Sequence, residues 1–150
     1  MKMLNSVVLA LGIVVLASGT ISAQSNEPSV RSSSTQDSGG ATYQTVTAPV
    51  AQRIISGIMN MDYTTYSRDF AQEFKGAIPE KSFQEQATNW QKVYGKLSNA
   101  EYLGFVRKNN SIINVLWKTR TEKTNTELLM TIAISMKEGG GCVVRGLSFQ

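Results

Sequence analysis

An α+β domain, with N-terminal helices packed on one face of a four-stranded antiparallel meander, is the fold this sequence predicts. Three observations carry it. From Pro49 to Tyr94 apolar residues recur at spacings of three and four, and after Gly95 the period drops to two. Four apolar runs of strand length then follow, separated by short polar or Gly-rich breaks. Such connections suit antiparallel neighbours, since parallel strands need a long crossover. Helices first and strands last place the helices together on one face of the sheet.

The chain opens with Lys2, an unbroken small and apolar run over 7–17, and the small-residue exit Gly19-Thr20-Ile21-Ser22-Ala23. That layout predicts a secretory signal peptide. The run is shorter than the roughly 20 residues that span a bilayer, and no Cys near the exit offers a lipid attachment point. The expectation is export, periplasmic or extracellular, with cleavage after Ala23 or, as a second candidate, Gly19. Membrane association is expected only through an uncleaved leader. Residues 24–46 are dominated by Ser25, Ser29, Ser32, Ser33, Ser34, Ser38, Gly39 and Gly40. They hold too little apolar surface to offset chain entropy, which predicts a disordered linker. Residues 47–150 are expected to form a single domain.

Order is expected to begin near Thr47, with Pro49 at a first helical position. Val50, Ile54, Ile55, Ile58 and Met61 give that helix one apolar face. Asp62 is an N-cap for a second, short helix over 63–70, and Phe70 and Phe74 are expected in the core. Ile78-Pro79-Glu80 opens a third helix, in which Phe83, Ala87, Trp90, Val93 and Tyr94 make a stripe. Gly95 is its expected stop, with Lys92 and Lys96 favourable near the C-terminus. The strands are expected at 97–107, 111–121, 127–137 and 142–149. Glu138-Gly139-Gly140-Gly141 forms the last turn, where positive φ costs little.

Composition narrows the chemistry. Lys plus Arg is 15 against 11 Asp plus Glu, a net charge of +4 without any basic run. Nucleic-acid binding wants a clustered basic stripe, so none is expected. The chain has no His, which removes the commonest general base near neutral pH and the commonest metal ligand. Its single Cys, Cys142, excludes an intramolecular disulfide. An exported odd Cys can pair between chains, but its strand context with Val143 and Val144 points to a buried hydrophobe. No cofactor and no metal are expected.

The order of helix, short helix, long helix and four-stranded meander resembles the cystatin-like or nuclear-transport-factor-like superfamily, and in particular its exported domains. The residues that carry the resemblance are Asp62-Tyr63, Tyr66-Ser67, Phe70, Phe74-Lys75, Ile78-Pro79, Tyr94-Gly95-Lys96 and Tyr102-Leu103-Gly104. Val115-Leu116-Trp117 and Val143-Val144-Arg145-Gly146-Leu147 complete it. It covers residues 49–150. The superfamily holds isomerases, dehydratases, transport adaptors and domains without activity, and fold does not choose among them. A His–Asp catalytic pair has no counterpart here.

The resemblance implies a cone-shaped cavity between helix and sheet. Trp90 and Tyr94 on the long helix are candidates to line it, and equally large core residues with a polar tip. Tyr63, Tyr66, Tyr102 and Trp117 complete the candidate set. Asp62 reads first as a cap and second as a general base, which would need burial and a substrate in reach. Lys118, Arg120 and Lys123 suggest an edge strand protected by charge, or an acidic partner. Asn109-Asn110-Ser111 fits both a glycosylation sequon and a hairpin turn. The expected function is an exported, non-enzymatic domain that binds a small apolar ligand or an envelope protein partner. The rivals are a small lyase or isomerase using Asp and Tyr, and an accessory subunit that dimerises through its sheet.

Overall fold

The structure, a computed structural model, describes residues 38–150. The expected leader and residues 24–37 of the expected linker lie outside them. The elements run α1 (Ser38–Asn60), α2 (Tyr63–Ser67), α3 (Gln72–Ala77), α4 (Glu80–Tyr94), β1 (Glu101–Arg107), β2 (Ile113–Arg120), β3 (Glu127–Met136) and β4 (Cys142–Phe149). The strands form one open antiparallel sheet in the order β1-β2-β3-β4. This is the α+β architecture the change of period predicts.

The linker expectation is corrected at its C-terminal end. Helix α1 begins at Ser38, not near Thr47, and Pro49 lies inside it on an exposed position. The cause is a stripe of one residue per turn hidden in a Ser/Gly-rich composition. Tyr43, Thr47, Val50, Ile54 and Ile58 follow at spacings of three or four, and all are buried. Thr47 has no exposed surface, and its hydroxyl donates to the Tyr43 carbonyl at 2.6 Å. The Tyr43 ring meets Phe105 edge-on at 4.7 Å, with the Arg107 guanidinium 5.5 Å from its centre. Removing residues 24–45 should therefore lower the melting temperature by many degrees, because Tyr43 goes with them. Tyr43→Ala alone should cost about 3 kcal/mol, read by urea denaturation. An unchanged midpoint in both would contradict the packed position of this turn.

At the far end of α1 the chain reverses through Met61, which takes a positive φ of 54°. Asp62 caps α2 as expected: its carboxylate accepts from the Thr65 hydroxyl at 2.6 Å and the Thr65 amide at 3.1 Å. These bonds, the hydroxyl first, hold the carboxyl below its usual range. Helix α2 ends at Ser67 rather than Phe70, because the next residues leave the helix to pair with the sheet. The Val144 amide donates to the Asp69 carbonyl and the Ala71 amide to the Val144 carbonyl, both at 2.8 Å. Beside this bridge Arg53 Nε donates to Asp69 Oδ2 at 2.6 Å, joining α1 to the same segment. Helix α3 is not foreseen from sequence. It has Phe74 as its one large apolar residue and buries none fully, so it shows no stripe.

Helix α4 matches expectation, with Pro79 at its N-cap and Gly95 ending it at φ 74°. Phe83, Ala87 and Trp90 are buried, but Val93 is 46% exposed. At 100° per residue Val93 falls to one side of the 83-87-90-94 line, so it is not part of the stripe.

In the sheet, Val115, Trp117, Met130, Ile132, Ile134, Val144 and Leu147 face inward and are buried. The alternate residues Asn114, Leu116, Thr131 and Ala133 stay partly exposed. Bulges at Leu103 and Arg145 shift the register of β1 and β4. The edge-strand reading of the 111–121 run is corrected: β2 lies between β1 and β3. Its charges pair across strands, Lys118 Nζ with Glu101 at 2.9 Å and Glu127 at 3.7 Å, and Arg120 with Glu127 at 2.7 Å. The first strand starts at Glu101. Leu97, placed in it by sequence, instead makes an isolated bridge with Thr121 and is buried.

Candidate functional site

Helix α4 is set against α1 by two side-chain amides. Gln91 Nε2 donates to the Ile58 carbonyl at 2.8 Å and to the Met59 carbonyl at 2.9 Å, and Gln84 Nε2 donates to Met61 at 2.9 Å. These bonds satisfy carbonyls at the end of α1 that the helix itself leaves open. They also fix which face of α4 looks inward. On that face Trp90 meets Phe149, at the end of β4, with ring centres 4.9 Å apart. Tyr66 of α2 stacks on Phe83 at 4.5 Å and meets Phe70 edge-on at 4.9 Å.

Between these rings lies a cleft lined by Ile58, Tyr66, Phe83, Gln86, Ala87, Trp90 and Phe149. It is narrow, with an interior volume of about 20 Å³. Its lining is apolar and aromatic except for the Gln86 amide, the Tyr66 hydroxyl and the Trp90 indole. Burial first, and then neighbouring Tyr63, push the Tyr66 hydroxyl far up, so it stays a neutral phenol. Trp90 Nε1 is buried and has no hydrogen-bond partner. No acid, base or cation belongs to the lining.

The sequence candidates divide. Tyr66 and Trp90 come together at the cleft. Tyr63 sits beside Tyr66, ring centres 6.5 Å apart, but its hydroxyl ties down the α3–α4 link by donating to the Ile78 carbonyl at 2.8 Å. Tyr94 packs on Trp90 at 5.0 Å from outside the lining. Tyr102 and Trp117 pair edge-on at 5.4 Å on the inner face of β1 and β2, away from the cleft. Asp62 is an exposed cap outside the cleft. Sequence reasoning missed Gln86 and Phe149 as site residues. Ile58, Phe83 and Ala87 were legible only as members of apolar stripes.

Two further features carry less. An open groove at Lys96, Leu97, Ser98, Arg120, Thr121 and Glu122 measures about 270 Å³, but its polar groups are engaged locally. Thr121 Oγ1 bonds Thr124 at 2.6 Å, Arg120 bonds Glu127, and Ser98 Oγ accepts from the Arg120 amide at 2.9 Å. Cys142 is buried, and burial followed by the nearby Asp69 charge pushes its thiol up, which keeps it protonated and unreactive. Among the described residues no group of three or more His, Cys, Asp or Glu is placed to hold a metal ion. No described helix is long and apolar enough to cross a membrane.

Fold and site together define an open-sheet α+β domain with an apolar aromatic cleft beneath α4. The chain matches no protein-family model and no curated protein.

Proposed function

We propose that this is an exported, non-enzymatic binding domain that takes a small apolar ligand in the cleft beneath α4. The observation that carries the reading is the lining: four aromatic rings, two aliphatic side chains and one amide, with no ionisable acid or base beyond the buried phenol of Tyr66. Apolar walls with a few polar groups are the usual make-up of a ligand pocket. A lyase or isomerase would need a carboxylate or similar base within reach of the bound molecule. Asp62, the residue considered for that role, is engaged with Thr65 at the surface. The likeness to cystatin-like and nuclear-transport-factor-like domains supports the same place between helix and sheet. The leader expected at 1–23 supports a role in the periplasm or outside the cell.

The test is a nuclear magnetic resonance titration with a neutral hydrocarbon, α-methylstyrene. Shifts should centre on Ile58, Phe83, Ala87 and Phe149, and Ala87→Phe, which fills the cleft, should abolish them. Shifts spread over the outer sheet face, or none at all, would contradict the site.

A second reading, a docking surface for a protein partner, is favoured by the free edge of the sheet. There Leu103 is 49% and Val106 55% exposed on β1. Large apolar residues grouped on one exposed strand mark interaction surfaces more often than scattered ones do.

A further inference from the structure

The two edges of the sheet are not equally open. At β4 the 69–71 segment takes part of the edge, through the two 2.8 Å bonds that Val144 makes with Asp69 and Ala71. Among the described residues no strand flanks β1 on its outer side. Backbone direction alternates along an antiparallel strand. The Lys108 amide donates to the Ile112 carbonyl at 3.0 Å, so Lys108, Val106 and Gly104 turn their backbone groups toward β2. Phe105 and Arg107 turn theirs out of the edge.

This strand is acidic where it starts, at Glu101, and basic where it ends, at Arg107-Lys108. The bulge at Leu103 puts both ends in play. Glu101 lies opposite Lys118, Gly104 opposite Leu116 and Val106 opposite Asn114, so Glu101 shares the outer face with Gly104, Val106 and Lys108. Without the extra residue it would fall on the inner face with Phe105. A second β1 laid antiparallel along this edge, with the two-fold axis at Phe105, then matches it. Phe105 stands beside its own copy, Val106 beside Gly104 and, past the bulges, Glu101 beside Lys108. A Cβ built on Gly104 meets nothing within 4 Å, which leaves room for Val106, itself 55% exposed. The Glu101 side chain stays 65% exposed in its pair with Lys118, so its carboxylate can take a second cation. A parallel copy would set Glu101 against Glu101 and Lys108 against Lys108. Charges and a bulge usually guard an edge against foreign strands. Here their spacing admits a second copy.

We propose that the β1 edge binds a second copy of this chain, antiparallel about Phe105, and that two symmetric Glu101–Lys108 pairs set the register. The contact is closed, since each copy uses the same edge, and it joins the two four-stranded sheets into one. The inference rests on the free edge being an interaction surface and is independent of the cleft.

The test is sedimentation equilibrium of the purified chain in reducing buffer, which excludes a Cys142 bridge, with amide exchange followed at Phe105. The chain should pass from monomer to dimer as its concentration rises, and the Phe105 amide should exchange more slowly in the dimer. Glu101→Lys and Lys108→Glu each set like charges together in both pairs, and each should weaken the dimer about tenfold or more. Mixed in equal amounts, the two variants should recover wild-type affinity, because every Lys then meets a Glu. A chain that stays monomeric with the Phe105 amide exchanging freely would overturn self-pairing and leave the edge open to another partner. A monomer with that amide protected would overturn the surface reading as well. A dimer that ignores both charge changes, or variants that do not recover on mixing, would put the interface elsewhere and overturn the proposal.

Discussion

Gly57→Ala should be among the most damaging single-methyl changes in this domain, costing about 4 kcal/mol or more. A Cβ at Gly57 would lie 2.6 Å from the backbone nitrogen, the Cα and the Cβ of Tyr66. None of these atoms is the end of a flexible side chain. The chain reverses tightly between α1 and α2, with the Asp62 amide donating to the Gly57 carbonyl at 2.9 Å, so α2 cannot move away without breaking that bond. Relief would have to displace Tyr66, which is 3% exposed and stacked on Phe83. The strain would therefore spread into the cleft. Gly76 is the control: it lies in α3, and an added Cβ there meets nothing within 4 Å. Gly76→Ala should be neutral or stabilising, by up to about 1 kcal/mol, through reduced freedom of the unfolded chain. Urea denaturation of both variants checks this. Similar midpoints for the two would contradict the close approach of α1 and α2.

Trp90→Ala should cost about 3–5 kcal/mol. The ring is 8% exposed and packs on Tyr94 of its own helix at 5.0 Å and on Phe149 at 4.9 Å, so it joins α4 to the end of β4. Trp90→Phe should cost far less, about 1 kcal/mol, since it keeps an aromatic ring and removes a donor that forms no bond in the protein. The pair of variants separates packing from hydrogen bonding. Equal losses for Ala and Phe would mean that the indole nitrogen does have a partner in the folded protein.

The parts of the fold that were legible in sequence are those governed by local rules. The drop in period at Gly95, the Asp62 cap and the Pro79 and Gly95 boundaries of α4 are each decided by a few neighbouring residues. So are the three hairpins, and all appear where those rules put them. The first half of α1 was hidden because its composition is that of a linker, and only the spacing of Tyr43, Thr47 and Val50 betrays the helix. Composition reports what a segment cannot bury alone, and α1 buries its stripe against β1, far along the chain. The charges of β2 were misread for a topological reason. In a meander the second strand has neighbours on both sides, so Lys118 and Arg120 pair with Glu101 and Glu127 rather than guard an edge.

The cleft was half legible. Tyr66 and Trp90 stood out as large residues with polar tips on helical stripes. Tyr102 and Trp117 stood out equally, yet strand register carries them to another part of the inner face. Gln86 shows no local signal, and Phe149 reaches Trp90 because the last strand ends under α4. Both placements depend on how the layers are stacked, which residue spacing does not encode.

The most direct test of the cleft as a ligand site is a crystal structure of the protein soaked with α-methylstyrene. The account predicts density for one molecule between Phe83, Ala87, Trp90 and Phe149, with α4 and β4 otherwise in place. A cleft left without density, or density only against the outer face of the sheet at Leu103 and Val106, would contradict it.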